Sequence, residues 1–128
     1  MFNRTLPSFN LRRANSLILG LSLTALLSAC DSGPSQEQIV AAAQTLTPKD
    51  PALSETYERT CKNCHTLADT GAPLTGDQHE WAQRLEKGKE TLVNNVIYGF
   101  GGMPPFGLCM ECGPEEFEAL VDFMAQQK

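Results

Sequence analysis

Several features are scarce or missing in this 128-residue chain, and each absence narrows its class. No segment alternates polar and apolar residues and no motif repeats, which argues against β-sheet folds and repeat arrays. The apolar run at residues 17–27 is too short to span a bilayer. Three of the 10 basic residues precede this run, so 7 face 15 acidic residues in the remainder, whose formal net charge is −8. Such a surface argues against binding nucleic acid or, by charge alone, anionic lipid.

The N-terminal residues have the form of an export signal. Arg4, Arg12 and Arg13 precede the apolar run, as in the charged region of a signal peptide. We therefore assign residues 1–29 to a signal peptide of the lipoprotein type.

The end of this signal predicts a lipid anchor. Residues 27–30, Leu-Ser-Ala-Cys, resemble a bacterial lipobox, in which the cysteine is lipidated and the chain is cut just before it. An ordinary signal peptide cut near Ala29 and a transmembrane anchor are the alternatives to lipidation of Cys30. Asp31 directly after the cysteine favours the inner membrane under the enterobacterial sorting rule. We therefore expect the mature protein on the periplasmic side of a bacterial membrane.

The mature chain divides into a tether and a domain. Residues 30–49 are small and polar and predict a tether, in which Ser35 and Gln38 are spaced as a capping box before a short helix. We place the folded domain at residues 50–128, because Asp50 suits a helix N-cap and Pro51 the first helical position.

Four short helices are predicted in this domain from apolar residues that recur at helical spacing. The first begins after Asp50 and runs into the cysteine motif at residues 61–65. The second lies near residues 77–88. The third carries apolar repeats at residues 92–100 and is ended by the glycines at residues 99–102, and the last begins at Pro114 and includes Met124. Phe117, Leu120, Val121 and Met124 form the buried face of the last helix. Such a small apolar core needs an additional stabilising element, and a covalently held cofactor can supply it.

The motif Cys61-Lys62-Asn63-Cys64-His65 predicts attachment of a c-type haem. Two cysteines three residues apart can each add to one vinyl group of the same haem, and His65 is then held over the iron. Zinc binding and a redox-active dithiol are the alternatives for a Cys-x-x-Cys pair.

A second cysteine pair, Cys109 and Cys112, follows near the C-terminus. The predicted export places it in an oxidising compartment, where the pair can persist as a disulfide. A redox-active dithiol is the alternative, but no strand–helix–strand pattern surrounds the pair. A joint zinc site with the first pair is excluded if those cysteines bond to haem.

The second axial ligand of the iron is predicted to be Met103. This residue lies in a glycine-rich loop, and two prolines stiffen the backbone after it. A thioether opposite histidine favours ferrous iron and fills the coordination sphere. Met110 lies in a tight turn, Met124 belongs to the apolar face of the last helix, and we expect His79 to be exposed.

Together these residues resemble the bacterial cytochrome c₅ family of class I c-type cytochromes. The resemblance covers roughly residues 55 to 126. Its motifs are Cys-x-x-Cys-His at residues 61–65, Gly-Ala-Pro-x-x-Gly-Asp at residues 71–77, Trp81 with Arg84 and Gly88, Met-Pro-Pro-x-Gly at residues 103–107, Cys-x-x-Cys at residues 109–112, and Glu115-Glu116.

The resemblance implies an all-α fold, the small class I cytochrome c fold, with four or so short helices around one covalent haem c and its iron. It implies His65 and Met103 as axial ligands and a disulfide between Cys109 and Cys112. It also implies that the Pro73 carbonyl accepts the proton of the other His65 ring nitrogen. Trp81 is expected beside the haem edge or a propionate.

The function implied is that of an electron carrier rather than an enzyme. We expect a membrane-tethered monohaem cytochrome that takes single electrons from a respiratory donor and passes them to a terminal oxidase or reductase. The alternatives are a haem sensor or peroxidase-like enzyme with a displaceable sixth ligand, and a cytochrome subunit held permanently in an oxidase or reductase complex.

Overall fold

A computed structural model of the protein describes residues 33–126, so the predicted signal peptide, Cys30 and Asp31 lie outside the described residues. Six α-helices occur within residues 33–126: α1 Gln36–Thr45, α2 Pro51–Arg59, α3 Lys62–His65, α4 Gln78–Leu85, α5 Lys89–Tyr98 and α6 Pro114–Met124, with 3₁₀ turns at Ala68–Thr70 and Pro105–Leu108. This part of the chain has no strand beyond one isolated bridge between Phe100 and Met103, so the all-α prediction is confirmed. None of its helices combines the length and apolar character required to cross a bilayer.

The predicted helix starts are confirmed at both ends of the domain. The Asp50 carboxylate accepts a hydrogen bond from the Leu53 amide at 2.8 Å, and Pro51 occupies the first position of α2. At α6, the Glu116 carboxylate accepts a hydrogen bond from the Gly113 amide at 2.7 Å. Each contact satisfies a backbone N–H that the first helical turn leaves without a partner.

The prediction that the first helix continues into the cysteine motif is wrong. Helix α2 ends at Arg59, where Thr60 departs from helical geometry with φ −118° and ψ −60°. The Thr60 hydroxyl donates to the Thr56 carbonyl at 2.7 Å, which the backbone N–H of Thr60 also contacts. Cys61 therefore begins a separate short turn, α3, and is not part of a continuous helix.

Helix α6 provides the main apolar face of the core. Its predicted face is confirmed, with Phe117, Leu120, Val121 and Met124 each only 2% exposed. The helix packs against α5 and α2. At the α2 contact, the rings of Tyr57 and Phe123 meet edge to face with centroids 4.9 Å apart. The core also takes in Trp81, Leu92 and Val96, so elements from residue 57 to residue 124 share one interior.

Helix α1 lies within the segment that the sequence assigns to the tether. Its predicted capping box is present, with the Gln38 amide bonded to the Ser35 hydroxyl and the Ser35 amide to the Gln38 side chain. Ala43 is completely buried. Leu46 lies so close to Gly76 that a β-carbon added there would come within 2.7 Å of the leucine Cδ1. The end of this segment therefore packs against the domain that follows it.

Candidate haem site

A cavity of about 270 Å³ opens between α3, α4, α5 and the loop at residues 99–108. All the residues that the sequence assigns to the cofactor and its metal line this one cavity: Cys61, Cys64, His65, Pro73, Trp81 and Met103. The rest of the lining is largely apolar and includes Leu92, Val96 and Val121. The fold thus brings together side chains that lie up to 42 positions apart in the chain.

His65 is buried, and its ring is oriented by a backbone carbonyl. Its Nδ1 atom lies 2.8 Å from the carbonyl oxygen of Pro73, the contact that the resemblance implied. Because a carbonyl can only accept, Nδ1 carries the proton and Nε2 keeps a free lone pair. Burial lowers the pKa of His65, against the effect of the Pro73 bond and with a smaller contribution from the positive charge of Arg84. The ring is therefore held in the neutral form that ligates metals.

The two cysteines of the motif share one turn of backbone. The amides of Cys64 and His65 both bond to the Cys61 carbonyl, at 3.2 and 3.0 Å. Cys61 is half-buried and Cys64 is exposed, and both carry free thiols. Burial raises the pKa of the Cys61 thiol, with a smaller opposing effect from its hydrogen bond to Thr60. These thiols can add across the two vinyl groups of a haem seated in the cavity.

Trp81 stands beside the histidine on the same wall. Its indole N–H donates to the Leu74 carbonyl at 2.9 Å, and its ring stacks on that of His65 with centroids 6.1 Å apart and planes 27° apart. The indole N–H is thus engaged by the backbone that carries Pro73. A contact of Trp81 with the haem edge or a propionate stays a prediction.

Met103 lines the cavity from a tight backbone hairpin. Its amide and carbonyl bond to those of Phe100 at 3.0 and 3.2 Å. A β-carbon on Gly107, which has a φ of +53°, would lie 3.2 Å from the Met103 methyl carbon, so the glycine leaves room for the thioether. The chain therefore presents histidine and thioether ligands to the same space.

The other residues considered as the second iron ligand lie where the sequence predicts. His79 is exposed, with 83% of its side chain accessible. Met110 is 73% exposed and does not line the cavity. Met124 belongs to the core face of α6, although it also contributes to the cavity wall. Met103 is thus left as the methionine that lines the cavity from a loop.

Cys109 and Cys112 form a disulfide, with their Cα atoms 5.4 Å apart and both residues buried. This bond closes the turn between the Met103 loop and α6. Within the described residues, no three His, Cys, Asp or Glu side chains converge as a metal site.

Comparisons with known proteins agree with this site. The family model described as "Cytochrome C oxidase, cbb3-type, subunit III" matches residues 48–124. Cytochrome c-555 of Chlorobaculum tepidum is 43% identical over 47 residues, which is 37% of this chain and 44% of the relative. Cytochrome c5 of Azotobacter vinelandii is 31% identical over 67 residues, 51% of this chain and 81% of the relative.

A second cytochrome c-555, from Chlorobaculum thiosulfatiphilum, is 40% identical over 47 residues, 37% of this chain and 55% of the relative. The chain thus spans about half the length of the two cytochromes c-555 that it matches. Among solved structures, a chain in the crystal structure of an electron transfer complex of nitrite reductase with cytochrome c is similar. It has a TM-score of 0.53 and 34% identity, and the match covers 60% of this chain and 94% of that one.

Fold, site and family match define a class I c-type cytochrome. Within this class the chain belongs to the family of that model, together with cytochrome c5. As in other members, the cofactor is covalent haem c with its iron, and Cys61 and Cys64 of the attachment motif are present. The free thiols, the neutral histidine, the thioether and the apolar walls fit this group.

Sequence reasoning missed several contacts that shape the site, although Gly99 was expected to end a helix and Tyr57 to lie on an apolar helix face. Gly99 has no room for a side chain, because a β-carbon there would lie 2.8 Å from the Met103 carbonyl oxygen. Tyr57 and Thr75 are completely buried and joined by a hydrogen bond of 2.9 Å. The only sequence signal for Tyr57 was its position one turn before Cys61 on the apolar face of α2.

Proposed function

We propose that this protein is a membrane-tethered monohaem electron carrier rather than an enzyme. Bound haem supplies a one-electron Fe(III)/Fe(II) couple. The chain's own residues would hold both axial positions, through His65 and Met103, and exclude water with the apolar walls of the cavity. A site that keeps the same ligands in both oxidation states reorganises little when an electron arrives or leaves, which suits transfer and leaves no open position for a substrate.

The observation that carries this proposal is the convergence of His65 and Met103 on the cavity that also holds the two free cysteines. A second feature is the apolar lining at the methionine loop, where Phe100 and Leu108 border the position of the haem. Small contacts of this kind suit transient redox encounters. The acidic surface predicts partners with complementary charge and an association that weakens with salt.

The decisive experiment is the visible spectrum of the exported, haem-loaded protein, oxidised and reduced, with and without carbon monoxide. We expect a sharp low-spin reduced spectrum that carbon monoxide does not change. Met103→Ala should become high-spin and bind carbon monoxide, because it opens one axial position. Met110→Ala is the matched control, because this methionine is exposed and outside the cavity, and it should behave as the unmutated protein.

Ready binding of carbon monoxide to the unmutated protein would mean an accessible iron. The sensor or peroxidase-like function would then replace simple electron transfer. A Met103→Ala protein that stays low-spin would remove Met103 from the ligand set.

We further propose a periplasmic location, with the chain anchored through lipid on Cys30 and held at the inner membrane by Asp31. The support is the lipobox-like sequence and the Cys-x-x-Cys-His motif itself, since haem c attachment accompanies export. Partitioning of the full chain into detergent, with an acyl mass on the peptide that begins at Cys30, would support the anchor. An unmodified Cys30, or equal partitioning of Cys30→Ser, would contradict it.

A second candidate function is that of a cytochrome subunit held permanently in a larger oxidase, favoured because the matching family model is described as an oxidase subunit. The two candidates differ in how the protein leaves the membrane in mild detergent. A free carrier elutes alone and equilibrates with added redox partners, whereas a bound subunit co-purifies with a fixed set of proteins at constant stoichiometry.

A further inference from the structure

Residues 73–75 hold His65 at two points. The Pro73 carbonyl lies 2.8 Å from the ring Nδ1, and the Thr75 amide donates to the His65 backbone carbonyl at 2.7 Å. The residue between them is held as well, because the Leu74 carbonyl accepts the indole N–H of Trp81. Every residue of this segment is therefore tied to the wall of the haem cavity.

The Thr75 side chain extends this arrangement into the core. Its hydroxyl lies 2.9 Å from the hydroxyl of Tyr57, which is 18 residues earlier, and both residues are 0% exposed. Tyr57 is itself held by the ring of Phe123 and lies on α2, one turn before Cys61. The pair therefore connects the helix before the haem attachment turn to the segment that bonds the histidine ring.

A buried pair of hydroxyls adds little to the free energy of unfolding. Each hydroxyl loses its water on burial and recovers only one hydrogen bond, and replacing both partners with apolar groups of the same shape can be neutral or stabilising. The pair instead fixes the position of Thr75 relative to Tyr57, because a hydrogen bond restrains two groups more narrowly than apolar packing does.

We propose that Tyr57 and Thr75 are positioning residues that keep the Pro73 carbonyl on the His65 ring and thereby lower the reduction potential of the iron. This inference rests on the proposed ligation of iron by His65. A carbonyl that accepts the ring proton makes the imidazole a stronger donor, which favours ferric iron. Loosening residues 73–75 weakens that hydrogen bond and shifts the potential upward.

The test compares Tyr57→Phe and Thr75→Val with the unmutated holoprotein. We expect both variants to keep the low-spin spectrum, to shift the midpoint potential upward, and to exchange the His65 Nδ1 proton faster in ferrous-state proton NMR. Thr75→Ser keeps the hydroxyl and should restore the original potential and exchange rate. Tyr98→Phe is the matched control for loss of a tyrosine hydroxyl, because Tyr98 is 76% exposed.

The double variant Tyr57→Phe/Thr75→Val separates positioning from stability. It removes both hydroxyls, so we expect it to regain stability relative to the single variants while its potential stays raised. Variants that lose stability but keep the original potential and proton exchange would overturn the inference and leave only a structural pair. If Thr75→Val does not mature, Tyr57→Phe decides the question alone. A high-spin unmutated protein, by contrast, would refute the proposed ligands themselves.

Discussion

The two sides of the haem cavity are held by different kinds of contact. On the histidine side, residues 61–77, groups outside the segment bond to it. The Tyr57 hydroxyl bonds to that of Thr75, the Trp81 indole donates to the Leu74 carbonyl, and the Met124 backbone carbonyl accepts from the Gly76 amide at 2.7 Å. On the methionine side, residues 99–108, the described hydrogen bonds join backbone atoms within the loop.

This difference teaches that hydrogen bonds join the histidine segment to distant elements, whereas the methionine loop has local hydrogen bonds. The loop meets the core through apolar contacts, such as Phe106 on Phe117 with ring centroids 6.3 Å apart. The methionine side also carries unfavourable backbone geometry, since Phe106 and Leu108 have φ of 58° and 69° without being glycine. Local contacts and such geometry are typical of segments that open before the rest of a protein. We therefore expect the Met103 loop to release before the histidine segment does.

Denaturant titration should separate the two sides, and this is the largest effect expected. The near-infrared absorption of an iron–thioether bond reports on Met103, and fluorescence of Trp81, the only tryptophan, reports on the histidine side because nearby haem quenches it. The absorption should disappear at lower denaturant than the fluorescence rises. If the absorption and fluorescence curves superimpose, the two sides unfold as one unit and do not differ in local stability.

Substitution at Gly99 should loosen the methionine side selectively. Gly99→Ala places a β-carbon 2.8 Å from the Met103 carbonyl at a φ of +80°, whereas Gly101→Ala has a φ of +61° with open space around it. The positive φ at Gly101 costs a side chain roughly 1–2 kcal/mol. Gly99 has a ψ of 152°, a backbone region open essentially only to glycine, so Gly99→Ala meets both greater backbone strain and the collision. Carbon monoxide binding to the ferrous protein should therefore accelerate more in Gly99→Ala. Equal rates of carbon monoxide binding in the two variants would show that the collision with the Met103 carbonyl does not loosen the loop.

Removing the disulfide should also destabilise the Met103 loop, with a smaller effect than Gly99→Ala. Closing so short a loop stabilises the folded state by about 2 kcal/mol in the chain-entropy model. Cys109→Ala/Cys112→Ala should lower the midpoint of the Met103 transition and change the Trp81 transition little. The measurement is again the paired titration, and an equal shift of both midpoints would show that the disulfide supports the whole domain.

The smallest effect is expected at an exposed ion pair that joins α2 to the disulfide turn, between Arg59 and Glu111. Hydrogen bonds from its own backbone amide and from Arg59 hold the pKa of Glu111 below its ordinary 4.5. The stabilisation is therefore complete above pH 4.5 and is lost as the pH falls through the lowered folded-state value.

Glu111→Gln should lower the melting temperature slightly at pH 7. The difference should shrink as the pH falls below 4.5, and added salt should shrink it at pH 7. Glu55→Gln, at an exposed position on α2, is the control. A difference that does not depend on pH or on salt would mean that the side chain acts by packing and not by charge.

Much of the fold follows from local rules that a single sequence carries. Asp50 with Pro51, and Gly113 with Glu116, mark helix starts through contacts made within one turn. The apolar face of α6 and the cysteine motif are equally local patterns. The disulfide and the Pro73 contact came instead from the resemblance to a known family.

What the sequence did not reveal depends on contacts between distant residues. The bond between Tyr57 and Thr75 exists only once α2 and the segment at residues 73–75 pack together. The end of α2 at Thr60, whose hydroxyl bonds back to the Thr56 carbonyl, also gave no signal, because threonine is tolerated in many helices. The contact of Leu46 with Gly76 likewise gives no signal in the composition of a small, polar segment.

The docking of α1 sets how far the haem could travel from a membrane. If Cys30 carries the proposed lipid, only residues 31–35 separate the anchor from a helix whose end packs on the domain. Five residues extend to roughly 17 Å at most. The cytochrome would then be confined to a thin layer over the bilayer. A partner in the same membrane would meet it there at high effective concentration. Electron exchange in that layer becomes a lateral search in two dimensions, and its rate should depend on how densely the partners populate the membrane.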